Sequence, residues 1–486
     1  MRELKNINQK KLKRQKEGIN RWFNSSLYGS YKDRNGCMNY ATGFGKTFTS
    51  ALIINKYLKE KEKASIMIIC PPFLVSQWQE VLNSLFYKKE IRNVNIFSPD
   101  KLIRGGLIYH PDLLIIDELH EFYNKERMNL INKKQIIYRD LLALTATYED
   151  NKDRHLEIQS FCPIVDKIGE SEAISKGYIS KFIEYNLGLE FTREEAKEHE
   201  RLSKLIREGL SKFGKGSLTL AMQCLSGGKR ANGEFYKSTF FCYNWAKYNG
   251  WREGLNLANP ADRELNDLWN PSMIFGYSVN LMRNIKNRKE LIYTSSNKLA
   301  AAVAILENFK YTKTIVFNQS IVFADLLYNI MNDLQPDNAV IFHSKVKTQM
   351  LPSPKTGKLI KFGAIRLKKR AIERIKSGQA NHLITSSVLD KGLDVPDLKI
   401  GVTTSGTQNP TPYIQRGGRV KRVDKSNKEG VVILVNLYIK KSKDVTWLKN
   451  RQSRSNNIIY WINDVNEISY KPKQKEQGIN INIKDI

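Results

Sequence analysis

Apolar residues in this chain gather into short runs, each closed by polar or glycine-rich text: SIMIIC (65–70), DLLIID (112–117), LLALTAT (141–147), TIVF (314–317), AVIF (339–342), HLIT (382–385) and VVILVNL (431–437). Runs apolar on both faces suit strands buried inside parallel sheets. Helix-like segments lie between most of them, among them Thr47 to Lys61, Val75 to Phe86 and Ile321 to Leu334. The strand and helix alternation occurs twice, which predicts two α/β domains.

Two interruptions break the alternation. From about Glu194 to Arg288 the strand signal vanishes, and charged helical text (TREEAKEHERLSKLIREGL) gives way to aromatics, glycines and basic residues (GGKRANGEFYKSTFFCYNWAKYNGW). This predicts a mostly helical insertion whose aromatics form a small core; its lysines and arginines suit nucleic-acid contact or partner docking. At 345–370, KVKTQMLPSPKTGKLIKFGAIRLKKR places turn residues at Pro354 to Gly357 between lysine-rich arms that suit strands, so a basic hairpin is expected, with a variable surface loop as the alternative. The expected boundaries are a first domain at 1–165, a second at 166–450 carrying both interruptions, and a loosely attached polar tail at 451–486.

Charge adds a partner to this picture. The 486 residues carry 79 lysines and arginines against 49 acidic residues, a formal excess of +30, which points to a polyanion and first to nucleic acid. Cys37, Cys70, Cys162, Cys224 and Cys242 stand singly, with neither C-x-x-C spacing nor clustered histidines, which argues against a zinc site or a disulfide framework and fits a reducing cytoplasm. No run approaches the roughly 18 apolar residues of a membrane span, so no membrane partner is expected.

Chemistry enters at NYATGFGKT (39–47). It ends like a phosphate-binding loop, yet Tyr40 stands where the strict G-x-x-x-x-G-K-[ST] pattern has its first glycine. Gly43 and Gly45 let the backbone approach phosphates, Lys46 reaches the β/γ-phosphates, Thr47 ligates magnesium, and the following helix offers its positive end. Tyr40 then ends the preceding strand. Alone, the shortened motif also suits an ordinary turn before a helix. In LLIIDELHEF, Asp117 and Glu118 close an apolar strand where α/β sheets place their ligands; Asp117 can hold magnesium through water and Glu118 can orient or deprotonate the attacking water. In QRGGRVKR (415–422), Arg419 and Arg422 are three apart on one helical face and can both reach a γ-phosphate.

Read in order, ATGFGKT, DELH, TAT (145–147), SSVLDKGLDVPDL (386–398) and QRGGRVKR resemble motifs I, II, III, V and VI of the superfamily 2 helicases of DEAD/DEAH-box type, over about residues 10 to 440. Family chains carry A-x-x-G-x-G-K-T without the early glycine, which accounts for Tyr40. The resemblance implies two RecA-like parallel-sheet domains in tandem, ATP and Mg²⁺ as cofactors, and sequence-independent grip on a nucleic-acid backbone. It places ATP against Thr42, Gly43, Phe44, Gly45, Lys46, Thr47, Gly392 and Asp394, with Gln15 in LKRQKEGINRWF reading adenine. His120 and Gln415 would couple the nucleotide state to the second domain, and Ser98, Thr145, Thr147 and Ser386 would meet the nucleic acid.

SKGYISKF (175–182) and the Q-R-x-G-R-x-x-R ending resemble the DNA translocases of the phage UvsW, XPB and restriction-motor types, so DNA is favoured over RNA. An ATP-dependent DNA helicase acting in recombination, repair or fork remodelling is the leading expectation, in the host cytoplasm if phage-encoded. An RNA helicase and a non-hydrolysing assembly factor are the alternatives. Protein partners would dock through the helical insertion or the tail. Tyr148 replaces the proline usual after T-A-T, and Leu119 the alanine of D-E-A-H; neither substitution removes a catalytic group.

Overall fold

The computed structural model describes residues 8–25, 34–146, 152–214, 217–229, 234–346, 348–352, 357–386, 395, 398–406, 431–452 and 458–471. The first sheet comprises β1 (Asn35–Tyr40), β2 (Ile66–Ile69), β3 (Val94–Phe97), β4 (Leu113–Asp117), β5 (Asp140–Thr145) and β6 (Ile164–Ile168), in the order β3-β2-β4-β5-β1-β6. Its strands pair in parallel throughout. Side chains alternate faces along a strand, and the core divides accordingly. Ile66, Ile68, Leu113, Ile115, Leu142 and Leu144 join one apolar layer, while Met67, Ile69, Leu114, Ile116, Leu141 and Ala143 join the other. That division is why these strands read as unbroken apolar runs.

Helices cover both faces: α1 (Gln9–Phe23), α2 (Lys46–Glu60), α3 (Val75–Leu85), α4 (Pro99–Gly105), α5 (Leu119–Phe122), α6 (Lys125–Asn132), α7 (Lys152–Phe161) and α8 (Glu170–Ser175). In α1, Asn8 caps the first turn through Lys11 N–H, and Gln15, Gly18, Ile19 and Trp22 form the buried stripe at helical spacing. Trp22 is fully buried and donates from its indole to Leu141 O at 3.0 Å.

A compact helical unit spans Leu189–Ala301 with Ile439–Asp444. It holds α9 (Arg193–Ser211), α10 (Ser217–Ser226), α11 (Ser238–Tyr248), α12 (Pro260–Trp269), α13 (Pro271–Tyr293) and the start of α14 (Ser296–Asn308), plus a short ribbon of β8 (Gly228–Lys229) and β9 (Phe235–Tyr236). Thr192 and Glu195 form a capping box at the head of α9. The core gathers Ile206, Phe213, Cys224, Cys242, Ile274 and Leu281, with Phe241, Trp245, Trp251 and Trp269 packed against it. Phe241, Trp245, Trp251 and Trp269 therefore belong to the core, while Phe235 and Tyr248 are exposed, and the helices run past the expected end at residue 288.

The second sheet has the order β11-β14-β10-β15-β16-β7-β17, built from β7 (Lys181–Leu189), β10 (Thr314–Asn318), β11 (Ala339–Phe342), β14 (His382–Ser386), β15 (Ile400–Thr403), β16 (Val431–Ile439) and β17 (Ile459–Ile462). The pairs with described register are parallel. Helices α15 (Ile321–Leu334) and α16 (Ala364–Ser377) pack on it.

Three segments at the expected boundaries form strands. β6 carries the first sheet past residue 165 to Ile168; this edge strand is only partly buried, so its text never reads as an apolar run. The expected tail is not all tail, because β17 pairs with β7, Ile459 opposite Glu184 and Ile462 opposite Leu187; four residues in polar text left no legible period. The basic segment 345–370 resolves into an antiparallel ribbon, β12 (Gln349–Pro352) with β13 (Leu359–Phe362), followed by the first turns of α16.

Candidate nucleotide-binding site

The site grows from the end of β1. After Tyr40 the chain turns through Gly43 and Gly45, whose φ angles of +88° and +95° favour glycine, and enters α2 at Lys46. Gly45 is the N-cap and no side chain caps the helix, so its first-turn N–H groups and the positive end of its dipole face the loop. Thr42 Oγ1 is buried without a hydrogen-bond partner. The Phe44 ring is fully buried, edge-on to Tyr40 and Tyr178, which leaves only its backbone to serve a ligand.

The loop is held from behind by α1. Lys11 Nζ donates to Gly43 O at 2.9 Å and Gln15 Nε2 donates to Phe44 O at 3.1 Å. Tyr40, the residue that breaks the strict motif, is buried and donates its hydroxyl to Asp166 Oδ2 at 2.6 Å. Arg14 grips the same carboxylate with both guanidinium nitrogens, at 2.7 and 2.8 Å, and Arg21 adds a third cationic contact. Burial alone would raise the Asp166 pKa; the hydrogen bonds from Arg14 and Tyr40 outweigh it and hold the carboxyl below its ordinary range. A Cβ on Gly18 would collide with the Tyr40 hydroxyl and the Asp166 carboxylate, so glycine is required there for α1 to dock. Tyr40 thus ties the strand before the loop to the helix behind it.

The acidic pair sits at the C-terminal end of β4. Asp117 is buried, accepts from the Trp78 indole at 2.9 Å, and is pushed up to about 6, first by burial and then by the neighbouring Glu118 charge, with Lys46 and Trp78 pulling the other way. Glu118 has φ +54°, a left-handed conformation that costs a non-glycine residue strain and recurs where function over-determines the backbone. Its Oε1 lies 3.8 Å from Lys46 Nζ; its Oε2 is buried without a hydrogen bond and lies 3.5 Å from His120 Nδ1. That same nitrogen is 3.0 Å from Thr145 Oγ1. Lys46, Glu118, His120 and Thr145 thus form a chain of contacts from α2 through the end of β4 to the end of β5.

The remaining expected residues distribute as follows. Thr47 lies in the first turn of α2, as a cation ligand beside Lys46 would. Ser98 is the N-cap of α4, its carbonyl accepting from Lys101 and Leu102. Thr145 and Ser386, expected at a nucleic-acid backbone, are the last residues of β5 and β14 and are buried at 1% and 0% exposure. Thr147, Gly392, Asp394, Gln415, Arg419 and Arg422 lie outside the described residues. Trp78 and the Arg14–Asp166–Tyr40 cluster carry site geometry that sequence reasoning missed. Only the docking of α3 beside β4 brings the Trp78 indole to Asp117.

The donor set suits a nucleoside triphosphate with a divalent cation. It combines an uncapped helix behind two glycines, an ammonium resting on a carboxylate, an orphaned hydroxyl, and a buried carboxyl with no cation in bonding distance among the described residues.

Comparison with known proteins agrees. Residues 8–110 match the family model described as the res subunit of type III restriction enzymes, and residues 297–424 match the helicase conserved C-terminal domain. The "DNA 3'-5' translocase XPB2" of Sulfurisphaera tokodaii is 25% identical over 418 residues, covering 83% of this chain and 77% of that protein. The "uncharacterized ATP-dependent helicase YqhH" of Bacillus subtilis is 28% identical over 127 residues, 23% of this chain and 22% of that protein. Among solved structures, S. cerevisiae Dbp5 bound to RNA and ADP BeF3 has a TM-score of 0.50 at 12% identity, covering 92% of this chain and 89% of that one, a likeness of fold alone.

Proposed function

Because the chain belongs to the superfamily 2 helicases, ATP-hydrolysing motors with two RecA-like domains in tandem, we propose that its polymer is DNA and that Lys46, Thr47, Asp117 and Glu118 carry the hydrolysis. The observation that supports this most directly is the pairing of Lys46 with Glu118, 3.8 Å apart, beside a buried Asp117 with a raised pKa. Magnesium would supply Lewis-acid neutralisation of phosphate charge, and Thr47 and Asp117 are the residues that would hold it.

Each residue's part follows from its surroundings. The loop backbone and the α2 N-terminus bind the triphosphate. Lys46 leaves Glu118 for the β/γ-phosphates, which frees the carboxylate to orient water or accept its proton. His120, between Glu118 and Thr145, passes that change towards β5. In this reading Gln15 meets adenine, Gly392 and Asp394 face the nucleotide from the second domain, and Arg419, Arg422 and Gln415 complete the site there.

DNA rests on the similarity to the XPB2 translocase and on the +30 charge. Binding is then sequence-independent and steeply salt-dependent, with recombination, repair or fork remodelling as the setting and the cytoplasm, where nucleic acid and ATP meet, as the place. No helix among the described residues is long and apolar enough to cross a membrane. The β12–β13 ribbon is the proposed strand-separating wedge: Met350 and Leu359 are more than half exposed on it, beside Lys361. Deleting Leu351 to Lys361 should remove unwinding and spare hydrolysis.

The deciding test is steady-state ATP hydrolysis without polymer and with single-stranded, duplex and forked DNA or RNA, for the natural protein and for Glu118→Gln. Stimulation by DNA that vanishes in the variant is expected; stimulation by RNA alone would select an RNA motor, and no hydrolysis with any polymer would leave a binding factor.

A further inference from the structure

Helix α16 forms one wall of a groove of about 720 Å³ at the β11 edge of the second sheet, lined by Arg366, Lys369, Arg370, Arg374, Phe362 and Asp337. Arg366, Arg370 and Arg374 are spaced by four residues, which puts all three on one helical face about 6 Å apart along the axis. That rise is comparable with the separation of successive phosphates on a single strand.

Not all the cations are equivalent. Arg374 is held by Asp337 at 3.0 Å, and Lys369 stands 4.0 Å from Glu373. Arg366 and Arg370 have no carboxylate partner among the described residues; their guanidinium groups lie 4.1 and 5.5 Å from the centre of the Phe362 ring. Arg370 Nη1 is buried without any hydrogen-bond partner. A buried guanidinium nitrogen left unbonded costs free energy that an acceptor would recover, and the ring fixes the direction in which the pair is presented. Guanidinium groups so arranged match phosphate oxygens in a way flexible lysines do not.

We propose that this groove is an accessory track for the phosphodiester backbone of a single strand, separate from the loops at the strand ends that carry the helicase motifs, and that Arg366 and Arg370 each hold one phosphate. The track rests on the reading of the protein as a nucleic-acid motor and adds a surface on which strand can be held independently of the nucleotide state. A strand is preferred to an acidic peptide because the two uncommitted cations are arginines in helical register, with an orphaned donor between aromatic and groove.

The experiment uses the full-length protein and a fluorescent single-stranded oligonucleotide, with binding followed by anisotropy across a salt series. Arg366→Gln/Arg370→Gln should weaken binding about 10-fold and reduce the magnitude of the salt slope by about 1.4, the release expected from two phosphates of a single strand. Hydrolysis without polymer and the thermal melt should stay unchanged. Arg366→Lys/Arg370→Lys keeps the charges and should restore the slope while recovering only part of the affinity. An unchanged slope in the glutamine pair overturns the track, as does competition by polyglutamate that equals competition by unlabelled strand and is lost in the same pair. Failure of the motor reading shows itself elsewhere, as hydrolysis by the natural protein that no polymer stimulates, and leaves the anisotropy result to stand on its own.

Discussion

Asp117 and Asp166 are both buried acids of the first sheet, one closing β4 and the other midway along β6, and their environments drive them in opposite directions. Asp166 is met by Arg14, Arg21 and Tyr40, and its pKa falls although burial opposes it. Asp117 accepts from two neutral donors, the Trp78 indole and the Glu118 backbone N–H, has a like charge next to it, and is pushed up to about 6. Desolvation acts on both; what differs is whether the fold supplies the compensating cation. Where it does, the carboxylate is a clamp between α1, β1 and β6. Where it does not, the site is left for a charge that arrives from outside, as a magnesium ion with its triphosphate would.

The comparison breaks first at catalysis. Asp117→Asn keeps the shape and the Trp78 contact but removes the charge a cation needs, and Glu118→Gln removes the base. Each should lower polymer-stimulated hydrolysis by about 10² to 10⁴-fold in a phosphate-release assay. Neither should much lower the melting temperature of the nucleotide-free protein, because asparagine can still accept from Trp78, and the Glu118 contacts with Lys46 and His120, at 3.8 and 3.5 Å, are long. Asp166→Asn should show the reverse assignment: hydrolysis affected only through the loop's loosened backing, stability affected directly.

That reverse effect is the second largest. Asp166→Ala strips a buried partner from Arg14 and Tyr40 and should cost about 3 kcal/mol in denaturant unfolding, with Arg21 contributing little because it is half exposed. Hydrogen exchange should accelerate most in α1. Equal loss of stability from Asp117→Asn would end the distinction between clamp and open site.

A buried base extends the same rule. His382, at the start of β14, is fully buried, and burial pushes it down to about 4, the Leu306 backbone offsetting part of the effect. The folded protein keeps it neutral while the unfolded chain protonates it below about 6.5, so stability falls as pH drops from about 6.5 to about 4. Between pH 7 and pH 5 the natural protein should lose about 2 kcal/mol more than His382→Phe in urea titrations.

Strand text was legible where both faces are buried: IMII, LLIID and DLLALT each feed two core layers, so nothing polar interrupts them. Edge strand β6 was not, because a strand covered on only part of its surface tolerates Asp166 and Lys167 and loses its signature, and β17 was not, because its four residues stand alone in polar text with no alternation around them. Local motifs likewise carried Lys46, Asp117 and Glu118, since the phosphate loop and the strand-end acids are contiguous in sequence. The supporting residues were out of reach: Arg14 and Asp166 are 152 positions apart, and Trp78 and Asp117 are 39 apart. No period or spacing joins such pairs; only the docking of α1 and α3 does.

Trp78→Phe tests that last contact, and it should have the smallest effect. Phenylalanine keeps most of the buried volume and loses only the indole N–H, so the penalty is one hydrogen bond to a charged acceptor, about 1.5 to 3 kcal/mol, felt only in the ionised state of Asp117. In the metal-free protein Asp117 becomes protonated only as the pH falls to its raised pKa of about 6, and only there is the loss muted. With magnesium bound the carboxylate is ionised whatever Trp78 does. The indole then matters as a guide, holding Oδ2 while the Glu118 backbone N–H holds Oδ1, so that the carboxylate keeps one orientation. The expected result is therefore a several-fold rise in the magnesium concentration for half-maximal hydrolysis, little change in the rate at saturating magnesium, and a melt lowered by a few degrees. A fall in the saturated rate equal to that of Asp117→Asn would show instead that the indole sets the carboxylate's charge, and Asp117 would then depend on the fold for its ionisation as Asp166 does.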